Sequence, residues 1–98
     1  MAPSDDDSVT VLIDERRDVE DSVIRIRVLD VPESDKFPEG IKYTFHYGEK
    51  GGDTILRYDN HHGVHERHDS TGTDTIDFPG LEPLLRRFQR EIDHEIDV

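Results

Sequence analysis

Residues 41–47 read Ile41-Lys42-Tyr43-Thr44-Phe45-His46-Tyr47. In an extended chain successive side chains point to opposite faces. Ile41, Tyr43, Phe45 and Tyr47 therefore share one side, and Lys42, Thr44 and His46 share the other. The stretch is a strand with one apolar and one wet face, the pattern of an antiparallel sheet that must be covered on one surface. Gly48-Glu49-Lys50-Gly51-Gly52 follows as a hairpin loop with glycines for positive φ. Residues 53–59 (DTILRYD) are the return strand.

Upstream, residues 22–31 (SVIRIRVLDV) form a strand with Ile24, Ile26 and Val28 on one face and Arg25, Arg27 and Leu29 on the other. Residues 8–14 (SVTVLID) are β-branched and alternating, and pair with it. Residues 15–21 between them read as a charged turn. Residues 32–40, with two prolines and a glycine, are a loop. Downstream, Asn60-His61-His62-Gly63 is a turn suited to left-handed geometry. Residues 64–69 (VHERHD) are a short polar strand, residues 70–73 a turn, and residues 74–78 a last strand.

Pro79-Gly80 ends the sheet. The period then becomes helical, with Leu81, Leu84, Leu85, Phe88, Ile92 and Ile96 on one stripe. Pro83 is tolerated only in a first turn and fixes the start near Gly80 or Leu81. One apolar stripe needs one surface, and the sheet supplies it. The predicted fold is α+β, an antiparallel sheet of about five to six strands packed against one C-terminal α-helix. Residues 1–7 are expected to be a disordered acidic tail, and residues 8–98 a single domain.

The chain has 98 residues and no cysteine, so no disulfide supplements its core. A domain of this size buries only about 60–65% of its unfolded surface. A thin core and unpaired sheet edges favour self-association or a stable complex. No run of about 18 apolar residues spans a membrane, and no basic, apolar leader opens the chain; the expected location is cytoplasmic. Asp and Glu total 24 against 12 Lys and Arg, a net charge of −12. Lys36, Lys42 and Lys50 are the lysines; the other cations are arginines. An acid-rich, arginine-preferring surface suits concentrated salt, where screening lengths fall to about 3 Å at 1 M. A halophilic source is the expectation. In dilute salt such a charge argues against nucleic acid; in molar salt the global field is screened and local contacts decide.

The densest functional side chains lie between Arg57 and His68 (RYDNHHGVHERH). This stretch fits three chemistries. His61, His62, His65 and His68 with Asp59 or Glu66 are metal ligands by type, but the spacing is no recognised ligand pattern, and His65 and His68 face opposite sides of a strand. Acid–base work on a phosphodiester needs a proton-moving histidine and an arginine for the phosphate. On a strand after Gly63, Glu66 and His68 share one face and His65 and Arg67 the other; either pair, with Arg57 from the neighbouring strand, makes such a site. The structural reading takes Asp59 and Asn60 as turn residues, Tyr58 as core and the histidines as solvated decoration. On the helix, Arg86, Arg87 and Arg90 form either an RNA or partner grip or, more simply, a solvated charged face. No phosphate-binding glycine loop, nucleophile elbow or dinucleotide fingerprint occurs.

The order of these features carries a family resemblance: the aromatic strand IKYTFHYGEKGG, an RYDN turn with Gly63 three residues after Asn60, the Arg67-His68 pair, a short strand ending in Phe78, and the LxxLLxxFxxEI-like helix. Over roughly residues 9–96 the chain resembles the TumE-like toxins of type II toxin–antitoxin systems. The resemblance implies a toxin neutralised by a cognate helix-turn-helix antitoxin and an RNA-directed activity; joined to the acid–base reading of the hairpin, the expected function is a metal-independent ribonuclease (mRNA-interferase-like). Asp59, Asn60, Arg67 and His68 are the site residues it carries over. Family members often read His-Arg-His or His-Lys-His where this chain has Glu66-Arg67-His68, with His65 displaced by one. A strand reverses face at each residue, so His65 does not replace the missing histidine; Glu66 is the candidate base, the alternatives being a weakened toxin or one that never used that position chemically. The expected catalytic set is His68, Arg67, Glu66 and Asp59. Arg57, Asn60, His65 and Tyr58 are expected to bind substrate, with no metal or cofactor. The alternative is a non-enzymatic protein-interaction module of an acidic halophilic protein.

Overall fold

The computed structural model describes residues 9–96. The acidic tail over residues 1–7 lies outside the described residues, as does the side chain of Ile96. Six strands, β1 (Thr10–Val19), β2 (Ser22–Asp30), β3 (Ile41–Glu49), β4 (Thr54–Asp59), β5 (Glu66–Asp69) and β6 (Gly72–Thr75), precede one helix, α1 (Leu81–Ile96). They form a single antiparallel sheet in the order β1-β2-β3-β4-β5-β6. The helix covers one face of it. The predicted α+β architecture is the observed one.

Alternation makes the core. Ile26 and Val28 of β2, Tyr43, Phe45 and Tyr47 of β3, and Leu56 and Tyr58 of β4 are buried together. Leu84, Phe88 and Ile92 of α1 close over them. Phe88 meets Tyr58 edge-on with ring centroids 5.4 Å apart, a favoured aromatic geometry. The helix begins where Pro83 requires: Gly80 has φ 119° and its carbonyl accepts from the Leu84 N–H at 3.2 Å.

The predicted charged turn over residues 15–21 is instead strand. β1 runs on to Val19, Asp14 to Val19 pair continuously with Arg27 to Ser22, and the turn is Glu20-Asp21 alone, with Glu20 at φ 53°. Backbone pairing to a strongly β-forming β2 holds this segment, and its charges are compatible with an edge strand, which charge protects from pairing with other chains. Arg16 pairs with Asp18, and Arg25 reaches across to Asp14. Gly48 and Glu49 also belong to a strand, β3, rather than to the loop. At Gly48 the backbone of Asp53 passes so close that an added Cβ would sit 2.8 Å from its carbonyl oxygen.

The last two strands are shorter and shifted. β5 starts at Glu66, not Val64, and β6 occupies Gly72–Thr75, not residues 74–78. Asp69 causes the shift: its Oδ1 accepts from both the N–H and hydroxyl of Thr71, tightening the turn so that Asp69 pairs with Gly72. Phe78 leaves the sheet to stack on His65, with centroids 4.4 Å apart. Among the described residues, no helix is long and apolar enough to cross a membrane.

Candidate functional site

The face of the sheet away from α1 carries the chemistry. Strand register lines up Arg25, His46, Arg57, His68 and Thr73 as direct cross-strand neighbours on β2 to β6. The row two residues along is Arg27, Thr44, Asp59, Glu66 and Thr75. Directly opposed residues share a face, so both rows project to the open side. Across β2, β3 and β4 this face presents Arg25, Arg27, Lys42 and Arg57, with Asp59 as the carboxylate among them. Arg27, Lys42, Thr44 and His61 line one surface depression here.

Asp59 organises the centre. It is 2% exposed, and a buried carboxylate is costly unless paired. Its Oδ2 lies 3.2 Å from His68 Nε2 and 2.9 Å from Arg57 Nε. The Arg57 Nε–H is not aimed at that oxygen and has no hydrogen-bond partner, so this contact is one of charge rather than a directed bond. Asp59 Oδ1 accepts from the His61 N–H at 3.2 Å and folds the turn after β4. Glu66 Oε1 stands 3.9 Å from His68 Nε2. On its far side His68 Nδ1 is 2.8 Å from Thr73 Oγ1. The imidazole is thus held from behind, with Nε2 presented to two carboxylates.

Two further histidines flank the centre. His61 Nε2 lies 2.6 Å from Thr44 Oγ1, and Nδ1 lies 3.5 Å from Arg57 Nη2. Burial lowers its pKa; Asp59 pulls the other way, while Lys42, Arg57 and His62 add to the lowering. His46, 3.0 Å from Thr54 Oγ1, is lowered by burial and then by Arg57.

The expected site residues divide between the two faces. Arg57, Asp59, Glu66 and His68 are brought together on the open side. Arg67 lies on the helix side: its Nε and Nη2 reach Glu91 Oε1 at 3.1 and 2.7 Å, and Nη1 reaches Asp69 Oδ2 at 2.6 Å. Thr71 and then Arg67 hold the Asp69 carboxyl below the usual carboxylate range. Tyr58 is fully buried, and its hydroxyl donates to Glu91. Asn60 is 1% exposed; its Oδ1 accepts from the Tyr43 N–H at 2.9 Å and its Nδ2 donates to the Ile41 carbonyl at 2.7 Å. It caps the end of β3 that β4 no longer pairs. His65 packs in a cluster with Tyr43 and Phe78, all three rings nearly parallel, away from His68. Burial, then Asp59 and Glu39, push the Tyr43 phenol well above its ordinary pKa. Its hydroxyl lies 2.9 Å from His65 Nδ1, and His65 Nε2 lies 3.3 Å from Glu39 Oε1.

Sequence reasoning left out His46, Arg25, Arg27 and Thr73. The alternation of β2 and β3 put the first three on the wet face, but only cross-strand register aligns them with His68. Asp59, Glu66 and His68 also place three ligand atoms within 4.8 Å of one another, a set able to hold a metal ion.

An antiparallel meander closed by one helix, with a cationic and histidine-bearing open face, is the class of molecule described. The profile of one known family, Toxin TumE, matches residues 4–96, and the chain belongs to that toxin family. No curated protein and no solved structure matches it.

Proposed function

We propose that this chain is the toxin of a toxin–antitoxin pair and that its target is RNA, cleaved without a metal on the open face of the sheet. The carrying observation is the cross-strand row Arg25, His46, Arg57, His68, lying on one surface of a chain whose net charge is −12. Arginines set in register against the overall charge, with hydrogen-bonding histidines between them, suit a phosphate backbone. In this reading the ribose 2′-oxygen attacks phosphorus. Glu66 takes the 2′-proton, and His68 donates a proton to the departing 5′-oxygen. Arg57 offsets charge growing on the phosphoryl oxygens. The products are a 2′,3′-cyclic phosphate and a free 5′-hydroxyl. Asp59 orients His68; Asn60, Tyr58 and Arg67 shape the scaffold on which these groups sit. Family membership supports a cognate partner, taken here as a helix-turn-helix antitoxin.

The test is RNA cleavage by the purified chain in molar potassium chloride, with and without chelator, beside His68→Ala. Chelator-resistant cleavage that disappears in the folded variant is expected. Full cleavage by His68→Ala, or none by folded wild type, would overturn the assignment. A non-enzymatic interaction module is the second reading. It is favoured by the apolar start of the edge strand β1, where Val11 and Leu12, with Val9 just before the strand, are 53%, 52% and 37% exposed; this end lacks the charges that protect residues 14–19 and can pair with another chain. A helix-turn-helix gene directly beside this one supports the toxin reading; an isolated gene supports the module.

A further inference from the structure

We infer that Asp59, Glu66 and His68 form a binding site for a divalent transition-metal ion of the Zn2+ class. One imidazole nitrogen and two carboxylate oxygens are the donor set such ions accept, and three protein ligands leave a position open to water. The spacing fits before any ion arrives. Ligand atoms about 2.1 Å from a tetrahedral Zn2+ stand about 3.4 Å apart. His68 Nε2 is 3.2 Å from Asp59 Oδ2 and 3.9 Å from Glu66 Oε1, values on either side of that distance, and all three ligand atoms lie within 4.8 Å of one another.

The surroundings are built as a metal site needs them. A ligating histidine is normally anchored through its other ring nitrogen, which fixes ring orientation and tautomer. Thr73 Oγ1 holds His68 Nδ1 at 2.8 Å. Asp59 is nearly fully buried and pinned by the His61 N–H, so its Oδ2 has little freedom to swing away. Glu66 and His68 sit two residues apart on β5, and β4 brings Asp59 directly opposite Glu66. Arg57 opposes the ion by charge, but its Nε–H makes no hydrogen bond to Oδ2. With neutral His68, two carboxylates and one guanidinium still leave the pocket net negative.

Ion and proton compete for the same lone pair on His68 Nε2. A loaded site would therefore lack the proton donor of the proposed cleavage. That consequence rests on the ribonuclease reading; binding of the ion does not, and it is measured with no RNA present.

The test titrates the tag-free full chain with Co2+ as a visible-range stand-in for Zn2+, and with Zn2+ itself by calorimetry. Expected are one ion per chain, ligand-field bands in the visible, and loss of both in His68→Ala and in the nearly isosteric Glu66→Gln. Thr73→Val, which removes only the anchor, should weaken binding about tenfold or more. His62→Ala, outside the cluster, should leave it unchanged. Absence of saturable binding would overturn the proposal. So would binding that survives both ligand substitutions in chains whose circular dichroism remains native.

Discussion

Asn60→Ala separates a structural from a substrate-binding role at the residue most prominent in the RYDN turn. Asn60 is 1% exposed, and both ends of its amide are engaged: Tyr43 N–H to Oδ1 at 2.9 Å, and Nδ2 to the Ile41 carbonyl at 2.7 Å. Alanine leaves a buried N–H and a part-buried carbonyl on β3 without partners. Each such group costs about 1–3 kcal/mol. The second retains some access to water, so a loss of about 2–4 kcal/mol is expected in total. For a domain of this size, 1 kcal/mol moves the melting temperature by about 4–8 °C. The variant should therefore melt roughly 10–30 °C lower. Urea denaturation followed by circular dichroism gives the free energy. RNA binding and cleavage, measured per folded molecule well below the transition, should match wild type, because Asn60 presents nothing to the open face. A loss below about 0.5 kcal/mol with cleavage abolished would refute the reasoning and make Asn60 a substrate contact.

Three further outcomes follow from the geometry. His46 and His61 are held below the ordinary histidine pKa in the folded state. The unfolded chain thus binds the extra protons first, and the stability present above about pH 6.5 is lost as pH falls toward the lowered folded values. The urea midpoint should fall between pH 7.5 and 5.5 more in wild type than in His46→Gln/His61→Gln, and equal slopes would contradict the sign. Arg67→Met should lower the urea midpoint, because Glu91 loses a guanidinium that reaches it through both Nε and Nη2 in a partly buried setting; a double-mutant cycle with Glu91→Gln should return a coupling of about 1–3 kcal/mol. With 24 acidic residues against 12 Lys and Arg, thermal stability should rise steadily from 0.1 to 1 M potassium chloride as screening shortens from about 10 to 3 Å, and a flat profile would remove self-repulsion as a factor.

The elements were legible wherever side-chain period and backbone state agree. IKYTFHY announced its two faces, and Leu84, Phe88 and Ile92 announced the covering helix, because burial selects apolar residues at the period of the element. Legibility failed over residues 15–19, where the side chains are charged and an edge strand is held by pairing to β2 rather than by its own composition. It failed again near residue 72, where the Asp69 side chain tightens the turn and advances the start of β6.

Strand alternation is local, so the order of residues already sets Glu66 and His68 on one face and Arg67 on the other. Which of those faces α1 covers is settled by packing between distant elements. That choice turned Arg67 and Tyr58 toward Glu91, and left Arg57, Asp59, Glu66 and His68 together on the open side. Register decided the rest: backbone pairing set Arg25, His46, Arg57 and His68 side by side from positions 25 to 68. No local pattern encodes such alignment, because it depends on where each turn stops and the next strand begins.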